Sequence, residues 1–428
     1  MGGVAPNCKN YGVPLFGVSW DPPTAISSEP NPTPPPPPSD QGDESSGDGS
    51  PSISHDSSLV LFAGGGGDGR NGIPNALLLA RFDFTSNSLS HQPVRFDFEV
   101  LVQQVAIIEV VQTSLSFVCL DSTADGYYQK VAKLETGADL PYRMAVHPGG
   151  DGVICSLPKS CRRFKWETVG SDAQKPNLKQ SDKVINQLED IGQQLALKFN
   201  NDGSVLALGG EDGMLRVFKW PSMEIILNEA ISDASVNDLD FSPDGKFLVS
   251  VRSGGPGRVW DVASSNLVAT LPREQDDNFG FCRFSHSDNN PVLYITSTRG
   301  QGGSIVRWET SSWTRVSTKQ VVGDPVCAFN VSADGKLLAV GTNEGDVLII
   351  NSTNMHVQNA VRKAHLGPVT ALMFSGDSRA LVSASFDSSA RVTVIKDAKK
   401  NGFNLWMVVF VILLAIAAYY LKTQGILH

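Results

Sequence analysis

Phe241-Ser-Pro-Asp-Gly245, followed by Lys246-Phe-Leu-Val-Ser-Val-Arg-Ser-Gly-Gly-Pro-Gly-Arg-Val-Trp-Asp-Val262, is the stretch whose reading decides the fold. Asp-Gly between two apolar runs is a tight-turn signal, because glycine accepts the backbone angles the turn requires. A second glycine-rich break then separates two β-rich runs, and the second run closes on Trp260. The same order recurs along the chain. Phe199-Asn-Asn-Asp-Gly203 precedes VLALGGEDGMLRVFKW, and Phe284-Ser-His-Ser-Asp288 precedes LYITSTRGQGGSIVRW. Val331-Ser-Ala-Asp-Gly335 precedes LLAVGTNEGDVLIIN, and Phe374-Ser-Gly-Asp-Ser378 precedes LVSASFDSSARVTVI. Val146-His-Pro-Gly-Gly150 heads a degraded copy. A spacing of about 42–45 residues in the central units is that of a four-stranded propeller blade. Such units bury their faces only against one another, so the array must close or be capped.

Six units are visible from residue 140 onward, and a seventh emerges at the N-terminus once an insertion is set aside. There, Tyr11 to Trp20 reads as a first strand and Leu59 to Ala63 as a second. The expected fold is therefore all-β, a seven-bladed WD-type β-propeller over residues 1–400. Between the two N-terminal strands, 22–55 carries a proline run (Pro34 to Pro38) amid Ser, Gly and Asp. Such a composition cannot bury a core and reads as a disordered surface loop, with an SH3-type ligand as the alternative. A second insertion, 95–129, is apolar and β-branched yet interrupts the passage between blades. It reads either as an inserted strand pair or as a retained or misassigned segment. Trp220, Trp260 and Trp308 stand near blade ends, where packing between blades is expected. His365 and Asp387 suit the structural hydrogen-bond network of WD-type blades.

The composition excludes several roles. Hydrophobic content is 41%, charged content 18% and net charge -9, as in a globular chain with a sizeable core. No cluster of Lys and Arg is paired with an aromatic stripe, which argues against nucleic acid. Six cysteines are scattered without C-x-x-C pairing or a His at ligand spacing, as expected of reduced thiols in a cytosolic domain. The start has no basic region followed by an apolar run. Pro6 stands where a myristoylation motif requires Ser or Thr.

The end of the chain differs. FNLWMVVFVILLAIAAYYL, 403–421, carries no charge, and a run of this kind can cross a bilayer as a helix. Trp406, Tyr419 and Tyr420 flank it, where amphipathic rings favour the headgroup layer. Lys396, Lys399 and Lys400 precede it, which predicts a cytosolic N-terminal side and a short lumenal tail, 422–428. The modest length suits a thin bilayer such as the endoplasmic reticulum.

The most informative stretch is Ala63-GGGGDGRNGIPN-Ala76. In the unit beginning at Phe199 the corresponding turn is Gly209-Gly-Glu-Asp-Gly213. Here it grows to the twelve residues Gly64 to Asn75, six of them glycine. A blade does not need the extra length. Glycines let backbone carbonyls or amides converge on an ion or a partner, and long loops on a rigid scaffold commonly carry function. The alternative is a merely flexible glycine loop. Gly64-x-Gly66-x-x-Gly69 formally matches a dinucleotide fingerprint, but a β-like run follows it instead of a helix. A phosphate loop would need Lys-Ser/Thr where Arg70-Asn71 stand. No Ser-His-Asp, paired-carboxylate or His-rich arrangement is apparent, so covalent enzymatic chemistry is not expected.

A GGGG-acid-G-x-x-GIPN loop in an N-terminal blade, a propeller and one C-terminal span together resemble the Sec-twelve family. The resemblance covers Tyr11 to Leu421 apart from the two insertions, and DLPYRMAVHPGGDG is worded like the plant branch. That family consists of endoplasmic-reticulum exchange factors for the small GTPase Sar-one, which starts COPII coat assembly. The resemblance implies a potassium ion bound largely through backbone oxygens of the loop, carried over to Gly64, Gly65, Gly66, Gly67, Asp68, Gly69, Asn71 and Gly72. It implies GTPase contact through Ile73, Pro74 and Asn75, with Asn75 as the residue that matters for exchange. It leaves two alternatives. One is a Sec-twelve-like escort that helps membrane cargo such as a phosphate transporter leave the endoplasmic reticulum without exchange activity. The other is a generic membrane-tethered scaffold.

Overall fold

A computed structural model describes residues 5–20, 56–66, 73, 75–97, 140–168, 176–181, 185–231, 234–252, 254–274, 276–285 and 291–395. The insertion 22–55, most of 95–129, the apolar run 403–421 and the tail 422–428 lie outside the described residues. No helix among the described residues is long and apolar enough to cross a membrane. The chain forms two compact units, Met1–Thr393 and Val394–His428.

The first unit contains seven antiparallel sheets, as the repeats predict. In the blade built on Phe199-Asn-Asn-Asp-Gly203 the strands are Gln194–Phe199, Val205–Gly210, Met214–Lys219 and Ile225–Ala230, paired in sequence order. The first strand of every blade lines a central channel of about 320 Å³. The second and third strands carry the buried, β-branched faces. The outermost strands are mostly exposed; the pattern in Ile225–Ala230 is one buried residue in six.

The Asp-Gly turns are built twice over. Gly203, Gly245 and Gly335 take φ of +76°, +70° and +68°. The preceding aspartates accept the next free amide: Ser204 N donates to Asp202, Lys246 N to Asp244 and Lys336 N to Asp334. In the last blade Ser378 takes φ +60° where glycine stands elsewhere, while Asp377 still accepts from Arg379 N.

Tryptophans pack between blades. Trp220 joins Ala145 and Ile154 of one blade to Phe199 and Leu206 of the next. Trp260 packs with Leu239 and Leu248 of its own blade against Leu215 and Val217. Trp308, 1% exposed, lies with Phe284 and Leu293 against Val249 and Val259 of the preceding blade. Inner strands are tied by side chains as well: Asp238 and Asp240 accept the amides of Cys282 and Phe284 in the next blade.

Two features of the N-terminal blade differ from the sequence reading. Its first strand runs Leu15–Trp20 rather than starting at Tyr11. The residues before it do another job: Cys8–Asn10 pairs with Ser389–Val394 and supplies the fourth strand of the last blade, closing the ring. Gly12, at φ +75°, turns the chain from one blade into the other. In addition, the outer strand of the first blade is split into Ser88–Leu89 and Val94–Asp97, both on Ala76–Asp83. Arg95, Phe96 and Asp97, the opening residues of the 95–129 segment, therefore belong to the blade.

Candidate functional site

The expanded loop joins the second strand of the first blade, Ser57–Gly64, to the third, Ala76–Asp83, and Gly64 pairs with Ala76 at its root. Gly64 also faces Leu15, and Gly65 N–H donates to the Pro14 carbonyl at 2.9 Å. Both glycines are required by crowding. A Cβ on Gly64 would stand 2.2 Å from the Pro14 oxygen, and one on Gly65 would stand 2.1 Å from Asn75 Oδ1 and 2.5 Å from Asn75 Cα. The Pro14 oxygen and Asn75 Cα are backbone atoms, which a rotamer change cannot move aside. The root of the loop has no room for a side chain at either glycine.

Gly64 and Gly65 are buried, and Gly66 and Ile73 are half-buried. Gly67, Asp68, Gly69, Arg70, Asn71, Gly72 and Pro74 lie outside the described residues. Asn75 is 1% exposed. The sequence reading offers this amide to a partner at the surface; in this structure it is tucked under the root, its carboxamide against Gly65. The physical reason is Gly65, whose missing side chain leaves a slot that Asn75 fills.

The described oxygens at this root are uncharged. They belong to the Asn75 carboxamide and the main chain of a glycine run, and carbonyl oxygens of this kind can replace the hydration shell of potassium. Among the described residues no group of three or more His, Cys, Asp or Glu could hold a metal. The thiols offer no alternative. Cys8, Cys155, Cys161, Cys282 and Cys327 are unpaired with one another, and burial pushes the Cys161 thiol up to about 12, so it stays protonated.

His365 is structural, as its position suggests. Its ring nitrogens meet Ser389 Oγ at 2.5 Å and Ser383 Oγ at 2.7 Å, while Asp387 accepts from Leu366 N at 2.6 Å. Burial lowers its pKa to about 4 from 6.5, opposed by the Asp387 charge and aided by Arg391. The unfolded chain therefore takes up a proton near 6.5 that the folded chain refuses. Stability is fully present above pH 6.5 and falls as pH drops toward 4, by up to about 3 kcal/mol. A His365→Gln variant should lose that part of the slope. Urea midpoints of both proteins between pH 7 and pH 4.5 check it, and parallel profiles would contradict it.

The sequence reading missed the surroundings of the loop. Phe386 occupies a turn between second and third strands, where other blades have Glu211-Asp-Gly or Asn343-Glu-Gly. An aromatic in a position otherwise polar was the available signal.

Seven four-stranded blades, with the longest second-to-third-strand connection on the first, define a WD-type propeller. The WD domain, G-beta repeat family matches residues 227–261 and 357–393. Over 403 residues the chain is 46% identical to SEC12-like protein 2 of Arabidopsis thaliana, covering 94% of this chain and 91% of the relative. It is 32% identical to SEC12-like protein 1 of the same plant over 284 residues, 65% of this chain and 70% of the relative. It is 28% identical to the guanine nucleotide-exchange factor SEC12 of Rattus norvegicus over 198 residues, 42% of this chain and 47% of the relative. The chain belongs to the SEC12 (Sec-twelve) family.

Proposed function

We propose that this protein is a guanine nucleotide exchange factor for the small GTPase Sar-one at the endoplasmic-reticulum membrane, and so starts COPII vesicle formation. The observation that carries the reading is the loop Gly64 to Asn75: a GIPN-ended glycine run on a frame too tight for any side chain, on a propeller of the SEC12 family. Relatives named as exchange factors support it.

An exchange factor performs no covalent step. It binds the nucleotide-free GTPase better than the loaded one, and release of GDP speeds up by that difference. Switch segments of a GTPase are held by magnesium and phosphate, and a wedge that displaces them loosens the nucleotide. The loop supplies the wedge. Ile73 and Pro74 meet the GTPase, while Asn75 locks the root from beneath so that the wedge keeps its shape. A potassium ion bound by oxygens of Gly64, Gly65, Gly66, Gly67, Asp68, Gly69, Asn71 and Gly72 would stiffen the loop. The run 403–421 spans the bilayer, which confines GTP loading to one membrane and raises the encounter frequency.

Asn75→Ala should lower GDP release from the GTPase by about 100-fold, since a small misplacement of a positioning element can cost that much. Fluorescent-GDP release measures it, and an unchanged rate would remove Asn75 from the mechanism. A second reading rests on a specific observation: the relatives at 46% and 32% identity are SEC12-like proteins, not ones named as exchange factors. On that reading the same propeller escorts membrane cargo out of the endoplasmic reticulum, and the unsubstituted chain would leave GDP release at its spontaneous rate.

A further inference from the structure

Strands alternate in direction within a blade, so turns between second and third strands emerge on the same face as the connections from one blade to the next. The glycine loop emerges there. So do Leu366, between Val357–Val361 and Val369–Phe374, and Phe386, between Ala380–Ser385 and Ser389–Val394. Phe16 lies at the head of Leu15–Trp20, and Tyr142 immediately precedes Arg143–Val146. All four sit in the last, first and second blades, straddling the blade that bears the loop.

They form one patch. Phe386 meets the Phe16 ring edge-on at 6.0 Å, and Phe16 lies 5.9 Å from Tyr142. Leu366 is joined to the Phe386 turn through the bond from its amide to Asp387. Leu366 is 93% exposed and Phe386 55%. The other exposed large hydrophobics, such as Ile225 and Val357, lie on outermost strands instead. Phe16 is two residues from Pro14, whose carbonyl accepts from Gly65 N–H, so the patch runs directly into the root of the loop.

The charged groups nearby are already committed. The Arg143 guanidinium donates to the carbonyls of Phe16 at 3.0 Å and Leu195 at 3.1 Å, with its carbon 4.8 Å from the Tyr142 ring centroid. Lys363 pairs with Glu344, and Arg362 with Asp346. An apolar centre within a rim of paired charges is the anatomy of a protein–protein contact, with aromatics as its anchors. Leu366, with 93% of its surface in water, and Phe386, at 55%, fill no core.

We infer that Leu366, Phe386, Phe16 and Tyr142 are a second docking surface for the same GTPase that the loop engages, which rests on the exchange reading. The patch holds an apolar surface of the GTPase beside its nucleotide pocket while the loop acts on the switch segments. It sets affinity, and the loop sets the rate of release. Two single variants of the full chain in lipid nanodiscs test this, Phe386→Ser and Leu366→Ser. Leu366 packs on nothing, so its variant keeps the fold, and unchanged thermal midpoints check both. Binding of nucleotide-free Sar-one is measured by surface interferometry, and GDP release at saturating exchange factor.

The expected result is a dissociation constant raised about 30-fold by Phe386→Ser and severalfold by Leu366→Ser, with the saturated release rate within about twofold of the original. Unchanged affinities in both variants, with an active unsubstituted chain, would overturn the docking surface alone. A loss of release rate at saturation equal to the loss of affinity would overturn the division of labour. An unsubstituted chain that neither binds nor accelerates release would overturn the exchange reading and the patch together.

Discussion

Trp308→Ala destabilises the propeller by about 3–5 kcal/mol, the range for removing a large aromatic from a closed core. Trp308 is 1% exposed, wedged between two blades against Val249, Val259, Phe284 and Leu293. A blade has no other partner for that face, so the cavity opens at a seam on which ring closure depends. The indole N–H is buried without an acceptor among the described residues. Trp308→Phe therefore keeps most of the apolar contact and discards an unsatisfied donor, and it should cost far less than alanine. Urea titration of both variants checks the pair. Equal midpoints for Ala and Phe would show that the seam does not depend on ring packing.

Gly65→Val abolishes exchange while leaving the ring folded. The new Cβ would stand 2.5 Å from Asn75 Cα, so the root must open and Asn75 must leave its slot. The strands on either side are paired over their whole length, from Ser57 opposite Asp83 to Gly64 opposite Ala76, and hold the blade together without the loop. The expected outcome is at least a 100-fold fall in GDP release, as for a displaced positioning element. The circular dichroism of the variant should match the original, with a melting point lowered by the opened root. A fully active Gly65→Val protein would mean that the crowded root has no part in the activity.

These effects separate what is legible in the sequence from what is not. Asp-Gly turns followed by apolar runs announce three of the blades, because the turn uses both the glycine angle and the aspartate acceptor that Asp202-Gly203, Asp244-Gly245 and Asp334-Gly335 provide. Ring closure is not legible. Cys8–Asn10 is three residues long and carries no period, and its pairing with Arg391 and Ala390 arises only once the other blades have brought the chain ends together. The split outer strand of the first blade is hidden for a similar reason: Val94–Asp97 follows a short break and then runs into an apolar segment of the same character.

The loop is legible as an excess of glycine over what a turn requires, and its lower root, Gly64 and Gly65, proves to be the part the fold constrains most. The burial of Asn75 is not legible, since a polar residue after proline at the end of a surface loop suggests display. Only the missing side chain at Gly65 makes room for it. The aromatic patch was not read from the sequence, although Phe386 stands where other second-to-third-strand turns carry Glu211 or Asn343. The union of Phe386 and Leu366 with Phe16 and Tyr142 depends on which blades become neighbours.

The most direct measurement is GDP release from purified Sar-one with the full chain in liposomes, in potassium buffer and again in sodium. The account predicts acceleration of at least tenfold over the spontaneous rate in potassium, and a clearly smaller one in sodium, where a smaller ion fits carbonyl oxygens less well. Release at the spontaneous rate in both buffers would contradict it.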